Sequence, residues 1–428
     1  MILELGQIPV KEIAWGKKTL LDGGVLRIHR EELIEKTRGD DSRLASVEAD
    51  IARPGESVRI IPVKDVIEPR VKVAGRGGMF PGFIAGLETV GGGRTHVLRG
   101  CAVVTAGQIV GFQEGLIDMS GPGARYSAFS QLLNVVLSLD VKPGLSRHEH
   151  EEALRLAGLR AAVYLAEAGR SVTPAFMERF AMRLPLKTKE SAGDLPGVVY
   201  LYMLLSQGLL HDTYLYGQDL KNLLPTLISP TEVMDGAVVS GNCVSACDKN
   251  TTYHHQNNPV IRELFNRDGR ELRFLGTVVA NCNVTLQDKQ RSADFAAKLV
   301  ELLGADGAVI TKEGFGNPDA DAMMYCALLE SRGIRTVLLT DEFAGVDGAS
   351  QSLADTTPQA DAVVSTGNAN ERISLPSADK VIGDIRVVEK IAGGQSGSLS
   401  REGITVELQA ITGATNELGF ELLSARSE

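Results

Sequence analysis

A short polar segment near the middle of the chain concentrates residue types that carry out nucleophilic and acid–base chemistry. It reads SGNCVSACDK (240–249) and is followed by YHHQNNP (253–259), so two of the five cysteines and two of the seven histidines lie between residues 243 and 255. Thiols serve as nucleophiles and imidazoles as proton acceptors in covalent catalysis. The segment is therefore the predicted reaction centre.

The order Gly241-Asn242-Cys243 would allow the chain to cleave itself. Glycine readily adopts a positive φ and permits a tight turn, in which the Cys243 thiol attacks the Asn242 carbonyl carbon. The peptide bond breaks, a thioester forms and the amine of Cys243 is freed. Loss of the Cα proton and of the thiocarboxylate leaves dehydroalanine, which tautomerises to an imine. Hydrolysis then releases ammonia and leaves a pyruvoyl group, whose carbonyl is an electrophile for amines.

Other side chains close to the cysteine are candidates for the remaining roles. A base must take the Cα proton, and the candidates are His254, His255 and Lys249. We expect the substrate to be contacted by three further residues, Tyr253, Cys247 and Tyr214.

Two alternatives account for the same cysteines without cleavage. A free cysteine is commonly a small buried apolar residue, and Cys243 would then remain intact in a non-catalytic protein that binds a small molecule. Cys243 and Cys247 could also join His254 and His255 in a zinc site. A C-x3-C spacing beside adjacent histidines matches the usual zinc patterns poorly, so no metal ligands are predicted.

Three stretches around the cysteine resemble a known family. The run SGNCVSACDKNTTYHHQNNPVI (240–261), with LPGVVYLYMLLSQGLLHDTYLYG (195–217) and PTLISPTEVMDGAVV (225–239), is similar to the processed subunit of component B of the glycine, sarcosine and betaine reductases. The resemblance covers the whole chain. It implies cleavage before Cys243, which becomes the pyruvoyl cofactor, and fragments 1–242 and 243–428. A proline reductase-like pyruvoyl precursor is the nearest alternative.

The resemblance also implies partners and a reaction. A selenoprotein subunit of component B would supply the soft nucleophile, and a small selenoprotein and a thioredoxin system would complete a complex that gives acetyl phosphate. Glycine and sarcosine carry an N–H and can condense with a pyruvoyl carbonyl, whereas betaine has none. A betaine site would need an aromatic cage, for which Tyr214, Tyr216 and Tyr253 are candidates. Glycine or sarcosine is the predicted small amine substrate.

Composition excludes several other classes of protein. The formal net charge of −10 disfavours nucleic acid and anionic membranes as partners. No apolar stretch approaches the ~18 residues of a membrane span. An odd number of scattered cysteines fits a reducing compartment better than a disulfide framework, so we expect a soluble cytoplasmic protein.

The periodicity of the chain predicts an α/β protein with three regions. Residues 1–140 read as a β-rich domain, because β-branched residues alternate or cluster between Gly and Pro breaks. Residues 141–242 are predicted to be a helical and connecting region, with a capping box at Ser146 and Glu149 and a second helix over 173–182. Residues 243–428 alternate strands with helices, which predicts a mostly parallel sheet.

Ligand sites of parallel sheets lie beyond the carboxyl ends of the strands. The residues that follow the predicted C-terminal strands are Asn281, Cys282, Lys312, Glu313, Asp341 and Ser365-Thr366-Gly367-Asn368. We expect them to line one pocket. Arg273, Lys249 and Lys312 are candidates to pair with a substrate carboxylate.

Overall fold

The structure, a computed structural model, describes residues 1–182, 194–207, 210, 213–241, 245–420 and 424–426. The strands before residue 183 are β1 (Ile2–Pro9), β2 (Glu12–Trp15), β3 (Leu20–Asp22), β4 (Val25–Ile28), β5 (Leu44–Ala52), β6 (Val58–Ile67), β7 (Arg70–Ala74), β8 (Gly93–Arg99), β9 (Cys101–Gly107), β10 (Gly115–Asp118), β11 (Leu133–Val141) and β12 (Phe176–Ala181). The later strands are β13 (Gly197–Leu204), β14 (Thr213–Leu215), β15 (Gln218–Asp219), β16 (Thr226–Ile228), β17 (Val238–Ser240), β18 (Arg273–Asn281), β19 (Gly307–Lys312), β20 (Arg335–Glu342), β21 (Val363–Asn368), β22 (Arg372–Pro376), β23 (Lys380–Gly383), β24 (Gly403–Glu407) and β25 (Ser424–Arg426). The helices are α1 (Arg30–Arg38), α2 (Arg147–Glu167), α3 (Pro230–Met234), α4 (Thr252–Gln256), α5 (Pro259–Arg267), α6 (Leu286–Leu302) and α7 (Asn317–Ser331). The predicted mixed α/β class is confirmed.

Two sheets and one long helix make up most of the first half of the chain. The strand orders are β12-β1-β8-β7 and β10-β6-β9-β11-β5, and α2 packs on β6, β7 and β9. All ten residues of β6 are buried, as expected of a strand covered on both faces. The predicted capping box is present at the start of α2, where the Glu149 amide donates to Ser146 Oγ and the Ser146 amide donates to the Glu149 carboxylate.

The prediction of a helix over 173–182 is wrong, because Phe176–Ala181 forms strand β12. It pairs antiparallel with β1, with Ile2 opposite Ala181 and Gln7 opposite Phe176. The partner strand lies at the other end of this half of the chain, and local periodicity does not register such a pairing. Cross-strand packing here overrides the local propensity.

A seven-stranded sheet forms the core of the second half, in the order β16-β18-β13-β19-β20-β21-β25. Each of the pairs β18–β13, β13–β19, β19–β20 and β20–β21 is parallel, and β16 and β25 join antiparallel. Helices α6 and α7 cover it with a core that includes Ala293, Ala297 and Leu329. Strand β13 precedes position 243, so chain on both sides of that position builds this sheet.

Contacts also run between the two halves of the chain. Strand β23 pairs in parallel with β6 of the first half. Buried Arg70 donates to Glu68 at 2.6 Å and to the Asn257 side chain at 3.0 Å. Within the described residues no helix is long and apolar enough to cross a membrane.

The buried ion pair of Arg70 and Glu68 gives a prediction about stability. Arg70→Met removes the buried cation of the fully buried Glu68 carboxylate and leaves it with the half-exposed Arg99, 3.6 Å away. We expect the free energy of unfolding to fall by about 3–5 kcal/mol. The matched control is Arg94→Met. The side chains of Arg94 and its partner Glu4 are 47% and 34% exposed, so loss of this ion pair should change stability by less than ~1 kcal/mol. Denaturant titrations measure both, and equal small losses would contradict the expectation.

Candidate active site

The predicted cleavage point, Asn242 and Cys243, lies outside the described residues. The nearest described residues on its two sides are Gly241 and Ser245, and both are buried. From Val238 to Gly241 and from Ser245 to Asn258, every described residue is buried. A polar segment has therefore been taken into the protein interior, where each of its groups needs a partner.

The upstream flank is attached to helix α4. The Ser240 amide donates to Thr252 Oγ1 at 3.1 Å, and the Thr252 hydroxyl donates to Asp65 at 2.7 Å. The Thr252 amide donates to the other Asp65 oxygen at 2.8 Å. This chain of bonds positions the helix that carries Tyr253, His254 and His255 beside β17.

The downstream flank, from Ser245 onward, is hydrogen-bonded to residues 409–413 near the C-terminal end of the chain. Ser245 Oγ donates to the Gln409 side-chain oxygen at 2.6 Å, and the Gly413 amide donates to the Ala246 carbonyl at 3.1 Å. The two flanks thus have separate anchors.

His254 is a neutral imidazole packed between aromatic rings. Its ring centroid lies 4.9 Å from that of Phe129 and 4.5 Å from that of Phe420. Its Nδ1 accepts from the Thr251 amide at 3.1 Å and lies 3.2 Å from the Asn416 amide nitrogen. Burial lowers the pKa of His254 to about 3, so it is a weak base at neutral pH.

His255 and Glu313 form a second buried pair. His255 Nδ1 hydrogen-bonds the Tyr202 hydroxyl at 2.6 Å, and its Nε2 lies 3.9 Å from Glu313 Oε1. Burial lowers the pKa of His255 well below its ordinary value and raises the pKa of Glu313 to about 7. Glu313 accepts from the Thr213 hydroxyl at 2.8 Å and from the Asn250 amide at 3.3 Å. A carboxyl with a pKa near neutrality is suited to both accepting and donating a proton.

The other predicted site residues have the following surroundings. Lys249 is buried and its Nζ donates to the Lys64 carbonyl at 3.5 Å. Burial raises the pKa of the Cys247 thiol well above its ordinary value, so this sulfur is not a thiolate. The Tyr253 ring packs edge-on against Phe129, with 5.5 Å between the ring centroids.

The structure gives the three tyrosines of the proposed cage different partners. Tyr214 lies 4.2 Å under the Arg155 guanidinium on α2, and the Tyr216 hydroxyl donates to Glu232 at 2.7 Å. Tyr253 packs on Phe129, as described above. We therefore find no shared aromatic cage formed by these three rings.

The carboxyl ends of the parallel strands come together with the polar segment. The Gly314 amide donates to the Asp248 carbonyl at 3.4 Å, Lys312 Nζ lies 3.7 Å from Asp341 Oδ1, and Cys282 Sγ donates to the Glu313 carbonyl at 3.9 Å. The predicted single pocket is wrong: Lys312, Glu313 and Asp341 lie together but buried, whereas Asn281 and Ser365 line two different cavities.

Three residues of this region were not predicted from the sequence: Asp65, Asn416 and Glu417. Asn416 donates to Asn250 Oδ1 at 2.6 Å, and Asp65 bonds Thr252. They are far from the cysteine motif in the chain, and no local pattern marks them.

A cavity of about 600 Å³ borders the downstream flank. Its polar lining residues include Ser245, Gln113, Gln409 and Lys390, and Phe315 stands at its edge. Ser245 is two positions after Cys243, so the cavity begins where the described chain resumes.

The link through Thr252 can be tested by an isosteric change. Thr252→Val leaves the buried Ser240 amide without an acceptor and one Asp65 oxygen without a donor, so we expect a loss of stability of about 2–4 kcal/mol. Thr405→Val is the control, because its bond to Ser374 is exposed. Denaturant titration measures the stability of both variants; a Thr252→Val loss as small as that of the control would contradict the link.

Asp65 gives a pH dependence. Burial raises the pKa of Asp65 to about 6, so between about pH 4 and pH 6 the native state holds a proton that the unfolded chain has released. The contribution of Asp65 to stability therefore falls as pH rises. The stability of the unmodified protein minus that of Asp65→Asn should decrease by on the order of 1 kcal/mol from about pH 5 to about pH 7.5. A difference that stays constant or increases would contradict this assignment.

Comparison with known proteins agrees with the family resemblance. A family model described as glycine/sarcosine/betaine reductase component B subunits matches residues 1–426. Over their full lengths, the chain is 56% identical to the glycine reductase complex component B subunits alpha and beta of Peptoclostridium acidaminophilum and 51% identical to the sarcosine reductase complex component B subunit alpha of the same organism. The betaine reductase complex component B subunit alpha of that organism is 40% identical over 93% of this chain and 91% of its own length.

A more distant relative is the D-proline reductase proprotein of Acetoanaerobium sticklandii, which is 23% identical over 81% of this chain and 55% of its own length. No solved structure matches the chain. The match along residues 1–426 and the end-to-end relatives decide the assignment: the chain belongs to the glycine/sarcosine/betaine reductase component B family.

Proposed function

We propose that this oxidoreductase subunit is a self-processing proprotein, cut between Asn242 and Cys243, that binds the amine substrate of a glycine reductase complex. The observation that carries the proposal is the burial of both flanks, Gly241 and Ser245, on separate anchors beside a carboxyl whose pKa is near neutral. One end-to-end relative is named as two subunits, alpha and beta, in a single chain, which supports a cut.

The described residues are arranged to keep both new ends in place. β17 pairs with β14 and bonds Thr252, whereas Ser245 and Ala246 bond Gln409 and Gly413. A break between the two flanks removes none of these bonds. The fragments 1–242 and 243–428 would therefore stay associated, since strands of both build the seven-stranded sheet.

We assign removal of the Cα proton of Cys243 to His255 with Glu313. A proton taken up by His255 would be stabilised by the carboxylate 3.9 Å from its Nε2. His254 is less suited, because its ring is packed between Phe129 and Phe420 and its Nδ1 already accepts from the Thr251 amide. Lys249 already donates to a backbone carbonyl.

The cavity beside Ser245 suits a small amino acid next to a carbonyl at position 243. A pyruvoyl group there would supply an electrophilic carbonyl for the substrate amine. Lys390 lines the cavity and is the proposed partner of the substrate carboxylate. Two of the cations considered from the sequence have carboxylate partners: Arg273 lies 3.8 Å from Asp306, and Lys312 lies 3.0 Å from Asp319. The third, Lys249, is buried and donates to the Lys64 carbonyl.

Glycine is the proposed substrate, with sarcosine as the second candidate. Identity to the relatives named for glycine, sarcosine and betaine reductase falls in that order, from 56% to 51% to 40%. Glycine and sarcosine carry the N–H that condensation requires. We further propose that a selenoprotein subunit of component B supplies the nucleophile, and that a small selenoprotein and a thioredoxin system complete the reaction to acetyl phosphate.

Cleavage can be tested with two cysteine variants. Cys243→Ala has no thiol to attack Asn242, and we expect it to remain one chain of 428 residues. Cys247→Ala is the matched control and should still give two fragments, because its buried neutral thiol takes no part. Denaturing gel electrophoresis with N-terminal sequencing reads out the result. Cleavage of Cys243→Ala, or a cut elsewhere in the chain, would overturn the proposal.

The substrate can be tested on the assembled complex with glycine, sarcosine, betaine and D-proline in turn. We expect thiol-dependent release of ammonia from glycine, less methylamine from sarcosine, and at least a hundredfold loss of both when Cys243→Ala replaces the native subunit. Turnover of betaine alone would contradict the choice of substrate. Turnover of D-proline alone would favour the proline reductase-like alternative.

A further inference from the structure

Three buried carboxylates lie close together at the C-terminal end of the cysteine motif. They belong to Asp248 after the cysteine motif, Asp341 near the end of β20, and Glu417 in the last described loop. One oxygen from each lies within 4.8 Å of the others, and each residue is 0% exposed. No local pattern links these positions, since they come from three separate parts of the chain.

Most of these oxygens have no hydrogen-bond donor among the described residues. Both carboxylate oxygens of Asp248, both of Glu417 and Oδ1 of Asp341 lack one. Asp341 Oδ2 accepts from the Thr415 hydroxyl at 3.2 Å. Buried polar atoms are normally paired, so five unpaired oxygens on three carboxylates that approach one another indicate a missing partner.

Lys312 lies beside the cluster but does not balance its charge. Lys312 Nζ lies 3.0 Å from Asp319 Oδ1 and 3.7 Å from Asp341 Oδ1, so it offsets about one of four carboxylates. Lys289, at the same edge of the sheet, is paired with Asp321.

We propose that Asp248, Asp341 and Glu417 bind a hard divalent cation of the Mg²⁺, Ca²⁺ or Mn²⁺ class. Such ions take oxygen ligands at about 2.0–2.6 Å, so two ligand oxygens on one ion are at most about 5 Å apart, as these are. A ligand set made only of carboxylates suits these ions better than zinc or copper, which prefer nitrogen and sulfur. The inference does not rest on the proposed function.

Protons are the competing explanation. Burial raises the pKa of Asp248 and Glu417 well above their ordinary values and that of Asp341 to about 7. A bound divalent ion would offset two of the three negative charges and would give each carboxylate a partner. It would also fix Asp248, five positions after Cys243, to the end of β20.

Elemental analysis of the purified full-length protein tests the site. Without added metal, we expect about one divalent ion per chain. After treatment with EDTA, Tm should fall, and MgCl2, CaCl2 or MnCl2 should restore it with a dependence on concentration; the salt effective at the lowest concentration identifies the ion. Absence of a bound ion together with a Tm unaffected by EDTA and by all three salts would overturn the proposal.

Two conservative variants separate the ion from protons. Asp248→Asn and Glu417→Gln should lose the ion and have a lower Tm that no longer responds to the three salts. If the cluster were only protonated, removal of a charge would leave Tm unchanged or raise it, and that result would also overturn the proposal. Asp321→Asn is the control: it removes a buried carboxylate paired with Lys289 and should keep the ion even if Tm falls.

Discussion

The burial of a polar peptide constrains the rest of this structure. Between Val238 and Asn258 every described residue is buried, although the segment is rich in Asn, Ser, Thr and His. A buried polar group that lacks a partner costs about 1–3 kcal/mol, while a satisfied one contributes about 1 kcal/mol net. The segment is therefore tolerated only because both halves of the chain supply partners for it.

Those partners come from the sheets on either side. From the first half, Asp65 bonds Thr252, and Glu68 exchanges backbone bonds with the Gln256 side chain. From the seven-stranded sheet, the Tyr200 hydroxyl hydrogen-bonds Thr311 at 2.7 Å and accepts from the Asn258 amide at 3.2 Å. Substitutions at such partners should affect the geometry of the segment without touching it chemically.

The same burial sets the chemistry that is available. Imidazoles in the interior are neutral, and thiols stay protonated because a thiolate would be poorly solvated. Glu313 differs from the histidines because its pKa is raised into the neutral range, where it can exchange a proton. Self-processing at Cys243 would need little more than this, since the chain itself supplies nucleophile and electrophile in adjacent residues.

Features set by neighbouring residues were predicted from the sequence, whereas features that depend on residues far apart in the chain were not. The cap of α2, the alternation of strands and helices after residue 273, and the grouping of Lys312, Glu313 and Asp341 followed from periodicity and from the geometry of parallel strands. Strand β12 was predicted as a helix because its partner β1 is far away in the chain.

Asp65, Asn416 and Glu417 were not predicted for the same reason: side chains that come together only in the folded protein leave no recognisable spacing in the sequence.

The central claim, that Cys243 becomes a carbonyl group, is tested most directly by the intact mass of the denatured protein before and after treatment with borohydride. The account predicts two masses meeting at Asn242/Cys243, with the C-terminal one lacking the Cys243 sulfur and gaining two hydrogens on reduction. A single mass for all 428 residues with five titratable thiols, unchanged by borohydride even after co-expression with the partner subunits, would contradict it.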